Sequence, residues 1–485
     1  MNLSLITKIR KQIIGDEKLV KYQSLNKDFF DFLGKRKEEK VLNLAKRVAP
    51  NTFYSDNFFQ KRKQIFEYII DFWNRSLIYV DYLKETGRGL NLARRPFLAP
   101  CVVADEEDLN FNEQYRWDTF FQNLGLALVG GFKLAINQLL NIVDVFNEYK
   151  RVPNALTTSY LSHSQPPLEI FSVFDLLNYK ALKGDWTKKI INMVEKELFV
   201  EWWDYKSGKK HLRQSDELVK KYGLLTRYTS IHHHPLLAGC EDGKDHNLIS
   251  AIFGSNYLPV QLNAIIYGIL NYLIKYYQDE ELGNNKEKVS IYKIFKEKLY
   301  HNFQKVFWCE KSGWEGFRNY SILKGEEEPI LYGDLAAEIW PLFVGLATEK
   351  QALITKENLK KYYAGDYGLA ATSLILRKKS NIYQKVDNSW QFQWEYPNCW
   401  PPLMYIAVEG LKNYGYFKEA LIYQKNWINF VEKEFFITGR FFEKYVYTKN
   451  MVVESGYYGR LSGFGWTIGI YLRFLNNLVK ENFLD

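Results

Sequence analysis

Residues 112–121 read Asn-Glu-Gln-Tyr-Arg-Trp-Asp-Thr-Phe-Phe and lead into an apolar run that continues to Leu134. Trp117 and Asp118 stand among aromatic residues at the start of this run, where an unpaired carboxylate is costly to bury. Carbohydrate binding uses such a pair, because an indole offers a flat apolar face to a pyranose ring and a carboxylate accepts hydrogen bonds from hydroxyls. The alternative is a plain helix start, with Asp118 in the first turn.

A second stretch of the same kind lies far along the chain. Residues 393–402 read Gln-Trp-Glu-Tyr-Pro-Asn-Cys-Trp-Pro-Pro, which again places tryptophans beside an acid. Together the two stretches resemble the signature segments of the trehalases, glycoside hydrolase family 37. The first is similar to that family's R-F-x-E-x-Y-x-W-D and the second to its Q-W-D-x-P-N-G-W-x-P. A closely related (α/α)6 glycosidase would share these features.

The composition is that of a globular protein with a large core. The chain has 485 residues, of which 47% are hydrophobic and 25% charged. Its 13 prolines are about half of the number expected from average usage, which favours long helices. The net charge of +9 comes from scattered Lys and Arg, whereas a nucleic-acid-binding protein clusters them, so no nucleic-acid partner is expected. No apolar run approaches the roughly 18 residues of a spanning helix, so no membrane association is expected.

The cysteines and the first residues of the chain indicate in which cellular compartment the protein is expected. Four widely spaced cysteines without a C-x-x-C motif predict reduced thiols; they are Cys101, Cys240, Cys309 and Cys399. Near the start, Lys8, Arg10 and Lys11 interrupt any apolar core of a signal peptide. We therefore expect a cytoplasmic protein.

Apolar residues recur at helical spacing along most of the sequence. This pattern predicts helices over 58–84, 124–149, 168–183, 187–199, 257–278, 288–306, 334–347, 353–361, 400–414, 416–434 and 465–480. Residues 1–50 are predicted to form a basic N-terminal helical arm, and the lack of a Gly/Ser-rich linker predicts one domain over 51–485. Periodicity alone predicts a mostly α-helical protein. The resemblance to the trehalases implies an all-α toroid, the (α/α)6 barrel, with motif-bearing loops lining one end.

Hydrolysis of a glycosidic bond needs two carboxyl groups, one that protonates the leaving oxygen and one that activates water or attacks carbon. Residues 241–245 read Glu-Asp-Gly-Lys-Asp and are similar to the trehalase segment E-S-G-W-D, which implies that Asp245 is the general acid. Lys244 replaces the tryptophan of the family and would lower the pKa of Asp245 unless it points away. The alternative for this segment is a solvated charged turn.

The second acid is found near the C-terminus. Residues 440–445 read Arg-Phe-Phe-Glu-Lys-Tyr and are similar to the trehalase segment F-x-E-K-Y, which implies that Glu443 is the base. Residues 463–467 match the G-F-G-W-T segment of the family in register. Since Asp245 and Glu443 are remote in sequence, only the fold can bring them together.

The resemblance also implies a sugar pocket around the two acids. Residues 152–154 and 164–167 are similar to the trehalase segments I-P-N-G and R-S-Q-P-P, and the amides of Asn154 and Gln165 can both donate to and accept from hydroxyls. The residues expected to contact the substrate are Phe111, Tyr115, Trp117, Asp118, Asn154, His163, Gln165, Gly243, Trp394, Trp400, Tyr457 and Trp466.

The chain departs from the trehalases where that family holds its disaccharide. Asn110 and His163 stand at two positions that are arginine in the family, and Tyr457 replaces a binding glutamate. Arg227 is a candidate for the third arginine. Neither Asn nor His copies the forked donors of a guanidinium. The resemblance therefore implies an inverting hydrolase of trehalose or of a related α-glucoside, acting on a small disaccharide or glycoside as a monomer or homodimer.

Two other functions stay open. A hydrolase similar to glycoside hydrolase family 63, acting on an α-glucoside or on glucosyl- or mannosylglycerate, could bind a glycerate carboxylate through Arg94, Arg95 or Arg116. A non-catalytic sugar-binding descendant of a hydrolase could keep the same motifs.

A metal site is a third possibility, suggested by residues 232–234, three successive histidines, which precede Cys240 and the acids of 241–245. Their spacing fits no standard zinc pattern. Neither a metal nor a cofactor is expected.

Overall fold

The computed structural model describes residues 30–50, 56–78, 88–101, 111–203, 213, 215–229, 239–380, 382, 392–449 and 459–483. Several positions named above lie outside the described residues: residues 1–29 of the predicted arm, Asn110, the histidines at 232–234 and Tyr457.

Helices make up most of the described chain. In chain order they are α1 (Lys37–Val48), α2 (Asp56–Ser76), α3 (Arg116–Val129), α4 (Phe132–Tyr149), α5 (Glu169–Asn178), α6 (Asp185–Glu197), α7 (Asp216–Tyr222), α8 (Leu248–Phe253), α9 (Val260–Gln278), α10 (Lys286–Phe307), α11 (Leu335–Phe343), α12 (Glu349–Asn358), α13 (Leu374–Lys379), α14 (Pro401–Asn413), α15 (Phe417–Thr438) and α16 (Gly465–Lys480). Helices α6 and α12 continue into π-helical turns at Leu198–Trp202 and Leu359–Tyr363.

The helices form two concentric layers. The inner helices α3, α5, α9, α11, α14 and α16 pack each against the next, and α16 packs against α3, so the ring closes. The outer helices α2, α4, α6, α10, α12 and α15 alternate with them along the chain. Inner helices such as α3, α14 and α16 are buried on nearly every face, as expected for helices with neighbours on all sides. This arrangement is the predicted (α/α)6 toroid.

Aromatic side chains fill the middle of the ring. Phe121 contacts Phe120 and Tyr405, with ring centroids 4.9 and 6.1 Å apart. Phe343 lies 6.2 Å from Tyr405 and 5.4 Å from Trp340. These rings come from three different inner helices, α3, α11 and α14, so the centre of the toroid is a packed core and the open space lies at its ends.

Two of the predicted helices are wrong in their extent. The helix predicted over 58–84 ends at Ser76, and Leu77–Ile78 form a short strand. The apolar run at 124–149 forms two helices, because α3 ends at Gly130, whose N–H donates to the carbonyl of Ala127, and Gly131 donates to Leu126. Consecutive glycines end the helix although the apolar pattern continues through them. At its other end α3 begins at Arg116, inside the opening motif, so Trp117 and Asp118 belong to its first turn.

Strands are few and short among the described residues. They pair as four antiparallel ribbons: β1 (Leu77–Ile78) with β2 (Phe97–Leu98), β3 (Tyr257–Leu258) with β6 (Tyr320–Ser321), β4 (Trp308–Cys309) with β5 (Gly316–Phe317), and β7 (Asn398–Cys399) with β8 (Tyr445–Val446). The pair β7–β8 places Asn398 opposite Val446 and Cys399 opposite Tyr445. It therefore joins the second tryptophan-rich stretch to the segment that carries Glu443.

The described part of the predicted arm is attached to the barrel. Helix α1 packs against α2, α3 and α16, and Asn476 Nδ2 donates to the carbonyl of Val48 at 2.7 Å. Helix α2 is in turn held by Arg62, which pairs with Glu432 at 2.6 Å on α15. The boundary placed at residue 50 stays a prediction.

Close packing of the first and last inner helices generates a stability prediction. A Cβ on Gly469 would lie 2.1 Å from the carbonyl oxygen of Phe121, so Gly469→Ala must push α16 away from α3. We expect it to lower the free energy of unfolding by about 1–3 kcal/mol, measured by urea denaturation. Gly459→Ala, where no atom of the described residues lies within 4 Å of the added Cβ, is the control and should change stability by less than about 0.5 kcal/mol. Equal effects at the two positions would contradict the packing argument.

Candidate active site

A pocket opens where the inner helices α3, α14 and α16 begin. Trp117 and Asp118 reach it from the first turn of α3, Trp400 from the residue before α14, and Trp466 from the first turn of α16. The pocket is lined by Pro100, Phe111, Tyr115, Trp117, Asp118, Asn154, Gln165, Gly243, Asp245, Trp394, Trp400, Glu443, Phe464 and Trp466.

Most of the residues predicted from the sequence line this pocket. Both predicted acids, Asp245 and Glu443, are among them, together with ten of the predicted binding residues: Phe111, Tyr115, Trp117, Asp118, Asn154, Gln165, Gly243, Trp394, Trp400 and Trp466. Pro100 and Phe464 were missed. Phe464 stands within the G-F-G-W-T match and was open to prediction, whereas no sequence signal marks Pro100, whose carbonyl accepts from the N–H of Gly465 at 2.8 Å.

One predicted binding residue lies elsewhere. His163 is buried and does not line the pocket; its ring packs edge-on against Tyr160 at 5.2 Å, and its carbonyl accepts from the N–H of Asn154 at 3.1 Å. Burial, reinforced by the charge of Arg151, lowers the pKa of His163 to about 4, so the ring is neutral near pH 7. It supports Asn154 from behind, and we correct the prediction of direct contact.

Three tryptophans form one wall of the pocket. Trp394 and Trp400 stack with ring centroids 3.7 Å apart and planes 8° from parallel, and Trp466 stands edge-on to Trp400 at 5.9 Å. The Lys444 ammonium lies 5.6 Å from the centre of the Trp400 ring. Burial lowers the pKa of Lys444 to about 8, and the charge of Glu443 opposes that shift.

The backbone around Glu443 is fixed by the start of α16. Trp466 Nε1 donates to the carbonyl of Glu443 at 3.0 Å, and Thr467 Oγ1 donates to the carbonyl of Phe442 at 2.6 Å. The N–H of Glu443 donates to Leu461 at 2.9 Å. The G-F-G-W-T match therefore has a structural reason, because its Trp and Thr hold the segment that carries the predicted base.

Asp245 and Asp118 both face the pocket and hold their protons more tightly than ordinary carboxyls do. Asp245 is accessible from the pocket. The protein atoms packed around its carboxyl limit its hydration and raise its pKa to about 7, and a hydrogen bond with Cys240 opposes this shift. Burial raises the pKa of Asp118 to about 7, and the charge of Asp245 adds to the shift. A carboxyl with such a pKa can serve as a general acid near neutral pH.

Lys244 points away from Asp245. Its ammonium contacts the carboxylate of Asp334 at 3.0 and 3.3 Å, at the start of α11. Burial alone would lower the pKa of Lys244, but the carboxylates of Asp334 and Asp242 outweigh it and raise that pKa. Segment 241–245 is therefore not a solvated charged turn, because Lys244 forms an ion pair with Asp334 at the start of an inner helix.

The same segment is anchored at its other end. Glu241 accepts from Arg213 at 2.7 and 2.9 Å and from the N–H groups of Ser164 and Thr229 at 3.0 and 2.8 Å. Asn247 Nδ2 donates to Asp242 and to the carbonyl of Lys244 at 3.0 and 2.7 Å. Charges on both sides hold the loop that presents Asp245 to the pocket.

Polar groups on the opposite wall are held in a fixed arrangement. Gln165 Oε1 accepts from the N–H of Trp117 at 3.0 Å, and the carbonyl of Asn154 accepts from the N–H of Arg116 at 2.9 Å. A Cβ on Gly243 would lie 2.6 Å from the Trp117 ring, so only glycine lets the acid loop approach this indole.

Comparison with known proteins agrees with this geometry. The family model described as trehalase matches residues 24–235 and 238–479. The chain belongs to the trehalase family. The periplasmic trehalase of Salmonella paratyphi C (strain RKS4594) is 24% identical over 405 residues, covering 76% of this chain and 67% of the relative. The periplasmic trehalase of Shigella flexneri is 24% identical over 415 residues, covering 79% and 69%.

Solved structures share the fold of this trehalase-family chain. Neutral trehalase Nth1 from Saccharomyces cerevisiae superposes with a TM-score of 0.64 at 20% identity, covering 80% of this chain and 75% of that one. The family 63 mannosylglycerate hydrolase from Thermus thermophilus, in complex with glucose, superposes with a TM-score of 0.55 at 16% identity, covering 83% and 98%. At these identities the likeness shows the (α/α)6 fold alone.

The arginines considered for a glycerate carboxylate are engaged elsewhere in this trehalase-family protein. Arg94 pairs with Glu148 at 2.6 Å and Arg95 with Asp144. Arg116 is buried between Glu169 and Glu197, at 2.6 Å from each. None of the three lines the pocket, so the condition under which one of them could bind a glycerate carboxylate there is not met.

The third-arginine candidate also lies outside the pocket lining. Arg227 donates to the carbonyl of Ser255 at 2.8 Å. Within the described ranges, no group of three or more His, Cys, Asp or Glu residues is arranged to hold a metal ion. None of the helices in that part of the chain is long and apolar enough to span a bilayer.

Lys244→Met tests the role of the ion pair. Removing the lysine leaves the buried carboxylate of Asp334 without its cation, so we expect a loss of about 3–5 kcal/mol in the free energy of unfolding, measured by urea titration. Lys189→Met removes a surface pair with Asp185 of similar length (2.7 Å) and should cost less than about 1 kcal/mol. If the two variants were equally stable, the pair at Lys244 would not hold the acid loop.

Proposed function

We propose that this trehalase-family protein is an inverting glycoside hydrolase that acts on trehalose or a related α-glucoside. The observation that carries the proposal is the presence of Asp245 and Glu443 in one pocket, although they are remote in sequence. Such a pair, flanking a bound sugar, is what hydrolysis of a glycosidic bond requires. The names of the relatives, periplasmic trehalases and a neutral trehalase, favour trehalose as the first substrate to test.

Asp245 acts as the general acid. Its pKa of about 7 leaves the carboxyl substantially protonated near neutrality, so it can give a proton to the leaving oxygen as the bond to the anomeric carbon breaks. Because Lys244 is engaged with Asp334, its charge does not draw the proton away from the acid.

Glu443 acts as the base. It takes a proton from a water molecule, and the oxygen of that water attacks the anomeric carbon from the face opposite to the leaving group. Inversion requires about 6.5–9.5 Å between the two carboxyl groups, which leaves room for this water. An α-glucoside is thereby converted to β-glucose and a free alcohol.

The walls of the pocket suit a pyranose. Trp394 and Trp400 turn their stacked faces to each other, and together with Trp466 they give the pocket an apolar aromatic wall for the ring hydrogens of a sugar. Asp118, Asn154 and Gln165 offer acceptors and donors to hydroxyls. This combination of aromatic faces with polar groups is the general chemistry of sugar recognition.

Replacing either acid tests the assignment. We expect Asp245→Asn and Glu443→Gln each to lower the rate of glucose release from trehalose by at least about a hundredfold, the scale of general acid–base catalysis. Proton NMR during turnover of trehalose by the unaltered protein should show α- and β-glucose appearing in equal amounts, because inversion gives the β-anomer from the attacked glucose while the leaving glucose stays α. Glu280→Gln, at an exposed position, is the control and should keep full activity. Full turnover by Glu443→Gln would contradict the mechanism, as would the initial release of α-glucose alone.

The pH profile of kcat/KM tests the acid separately. Asp245 must be protonated to act, so activity on trehalose should be highest below pH 7 and fall as the pH rises through about 7. The leaving group of α-glucosyl fluoride needs no proton, so the fall should be absent with that substrate. A fall near pH 7 with both substrates would assign the titration to another group.

A further inference from the structure

We propose that Cys240 is a positioning residue for the proposed general acid: its thiol holds one oxygen of the Asp245 carboxyl and leaves the other oxygen to face the glycosidic bond. This inference rests on the proposed function, since it concerns the same pocket and the same acid. The sequence marks Cys240 only as a reduced thiol that precedes the acid segment.

The acid loop turns back on itself between Cys240 and Asp245. Residues 239–241 are helical, and Gly243 (φ 74°) and His246 (φ 57°) take the left-handed conformation further along. A residue with a side chain, such as His246, adopts this conformation at some cost, so the surrounding contacts must hold the turn. Asp245 lies between these two positions, and its carboxyl forms a hydrogen bond with the thiol of Cys240.

Both ends of this turn are held by the rest of the fold. Next to Cys240, Glu241 accepts from Arg213 at 2.7 and 2.9 Å. At the other end, the carbonyl of His246 accepts from the N–H of Gln393 at 2.9 Å. The backbone positions of the donor and the acceptor therefore do not depend on their own contact, which lets a weak hydrogen bond select one orientation of the carboxyl.

The sulfur keeps its proton near neutral pH and can donate it to a hydrogen bond. Burial raises the pKa of the Cys240 thiol, and the charges of Asp245 and Asp242 add to the shift. A thiol is a weak donor, so it opposes only part of the effect of burial on Asp245, whose pKa stays at about 7. As the proton of Asp245 moves to the leaving oxygen, negative charge develops on the carboxyl, and the hydrogen bond from the thiol becomes stronger. The contact therefore stabilises the charge that the reaction leaves on the acid.

Other titratable groups surround the acid. Those in the pocket or in the acid loop are Asp118, Glu443, Asp242, Lys244 and His246, and Lys444 lies beside Trp400. A substitution at Cys240 replaces none of these side chains, so a change in the titration of Asp245 reports on its contact with the thiol.

The pH profile of kcat/KM on trehalose tests this role in two variants, Cys240→Ala and Cys240→Ser. Loss of the donor in Cys240→Ala should move the fall near pH 7 upward by about 0.5 unit. It should also lower kcat about three- to tenfold with a smaller change in KM, because the acid is less well oriented. The hydroxyl of Cys240→Ser is a stronger donor, so the fall should move to lower pH. Cys309→Ser, at a buried thiol outside the pocket lining, is the matched control and should leave the pH of the fall unchanged.

Three results would overturn the positioning role while leaving the proposed function intact. The first is a fall at the same pH in Cys240→Ala as in the unaltered protein. The second is an equal shift in Cys309→Ser. The third is a lower melting temperature of Cys240→Ala with an unchanged pH profile, which would give the thiol a merely structural role.

Alkylation of the thiol tests the contact without turnover, should the unaltered protein hydrolyse no glycoside. Cys240 is partly accessible, whereas the other three cysteines are buried. Asp245→Asn removes a negative charge beside the sulfur, so iodoacetamide at about pH 8 should label Cys240 at least about threefold faster, measured by peptide mass spectrometry. Asp185→Asn, at an exposed position, is the control and should leave the rate unchanged. An unchanged labelling rate in Asp245→Asn would overturn the contact.

Discussion

The contact between α3 and α16 is the constraint on which the site depends. These are the first and last inner helices, and they meet at Gly125 and Gly469, where a side chain would collide with the facing backbone. Both helices begin at the pocket. Their contact therefore brings Trp117 of α3 to the same pocket as Trp466 of α16, whose Nε1 donates to the backbone carbonyl of Glu443. Closure of the ring and assembly of the site are therefore one event, and the two motifs face each other only when the last inner helix has packed against the first.

The loop of the proposed acid is held by a different kind of force. Buried charges fix it, through Glu241 with Arg213 on one side and Lys244 with Asp334 on the other. Such pairs contribute little net stability compared with apolar contacts, but breaking them is costly, so they favour one arrangement of the loop. Both of these cations are engaged with carboxylates other than Asp245. The acid is thus surrounded by ordered charge and still keeps a raised pKa.

The sequence predicted which residues line the pocket better than it predicted the surroundings of that pocket. Motif register identified Trp117, Asp245 and Glu443 because each belongs to a segment whose position is fixed by contacts with an inner helix. It could not predict the direction of His163, which follows a 3₁₀ turn at Thr158–Tyr160 and packs its ring back on that turn.

The partners in the buried ion pairs could not be predicted from the sequence either. Arg116 has its partners in α5 and α6, and Lys244 has its partner at the start of α11. Each of these partners is distant along the chain and became a neighbour only through the ring of helices. Helix ends were missed for a local reason, since the two glycines at 130–131 interrupt a run whose apolar period does not change.

Burial raises the pKa of both Asp118 and Asp245, and the charge of Asp245 adds to the shift of Asp118. Both carboxyls face one pocket and both have a pKa of about 7, so ionising the two together is unfavourable and one proton stays with the pair near neutrality. Asp118 lies in the first turn of α3, where the helix dipole and its own backbone N–H favour the charged form. Asp245 lies in a loop, where a hydrogen bond with Cys240 opposes the effect of burial. The proposed mechanism needs the proton on Asp245 and a carboxylate at Asp118 that accepts hydrogen bonds from hydroxyls, so the two carboxyls would have to hold opposite charge states near neutrality.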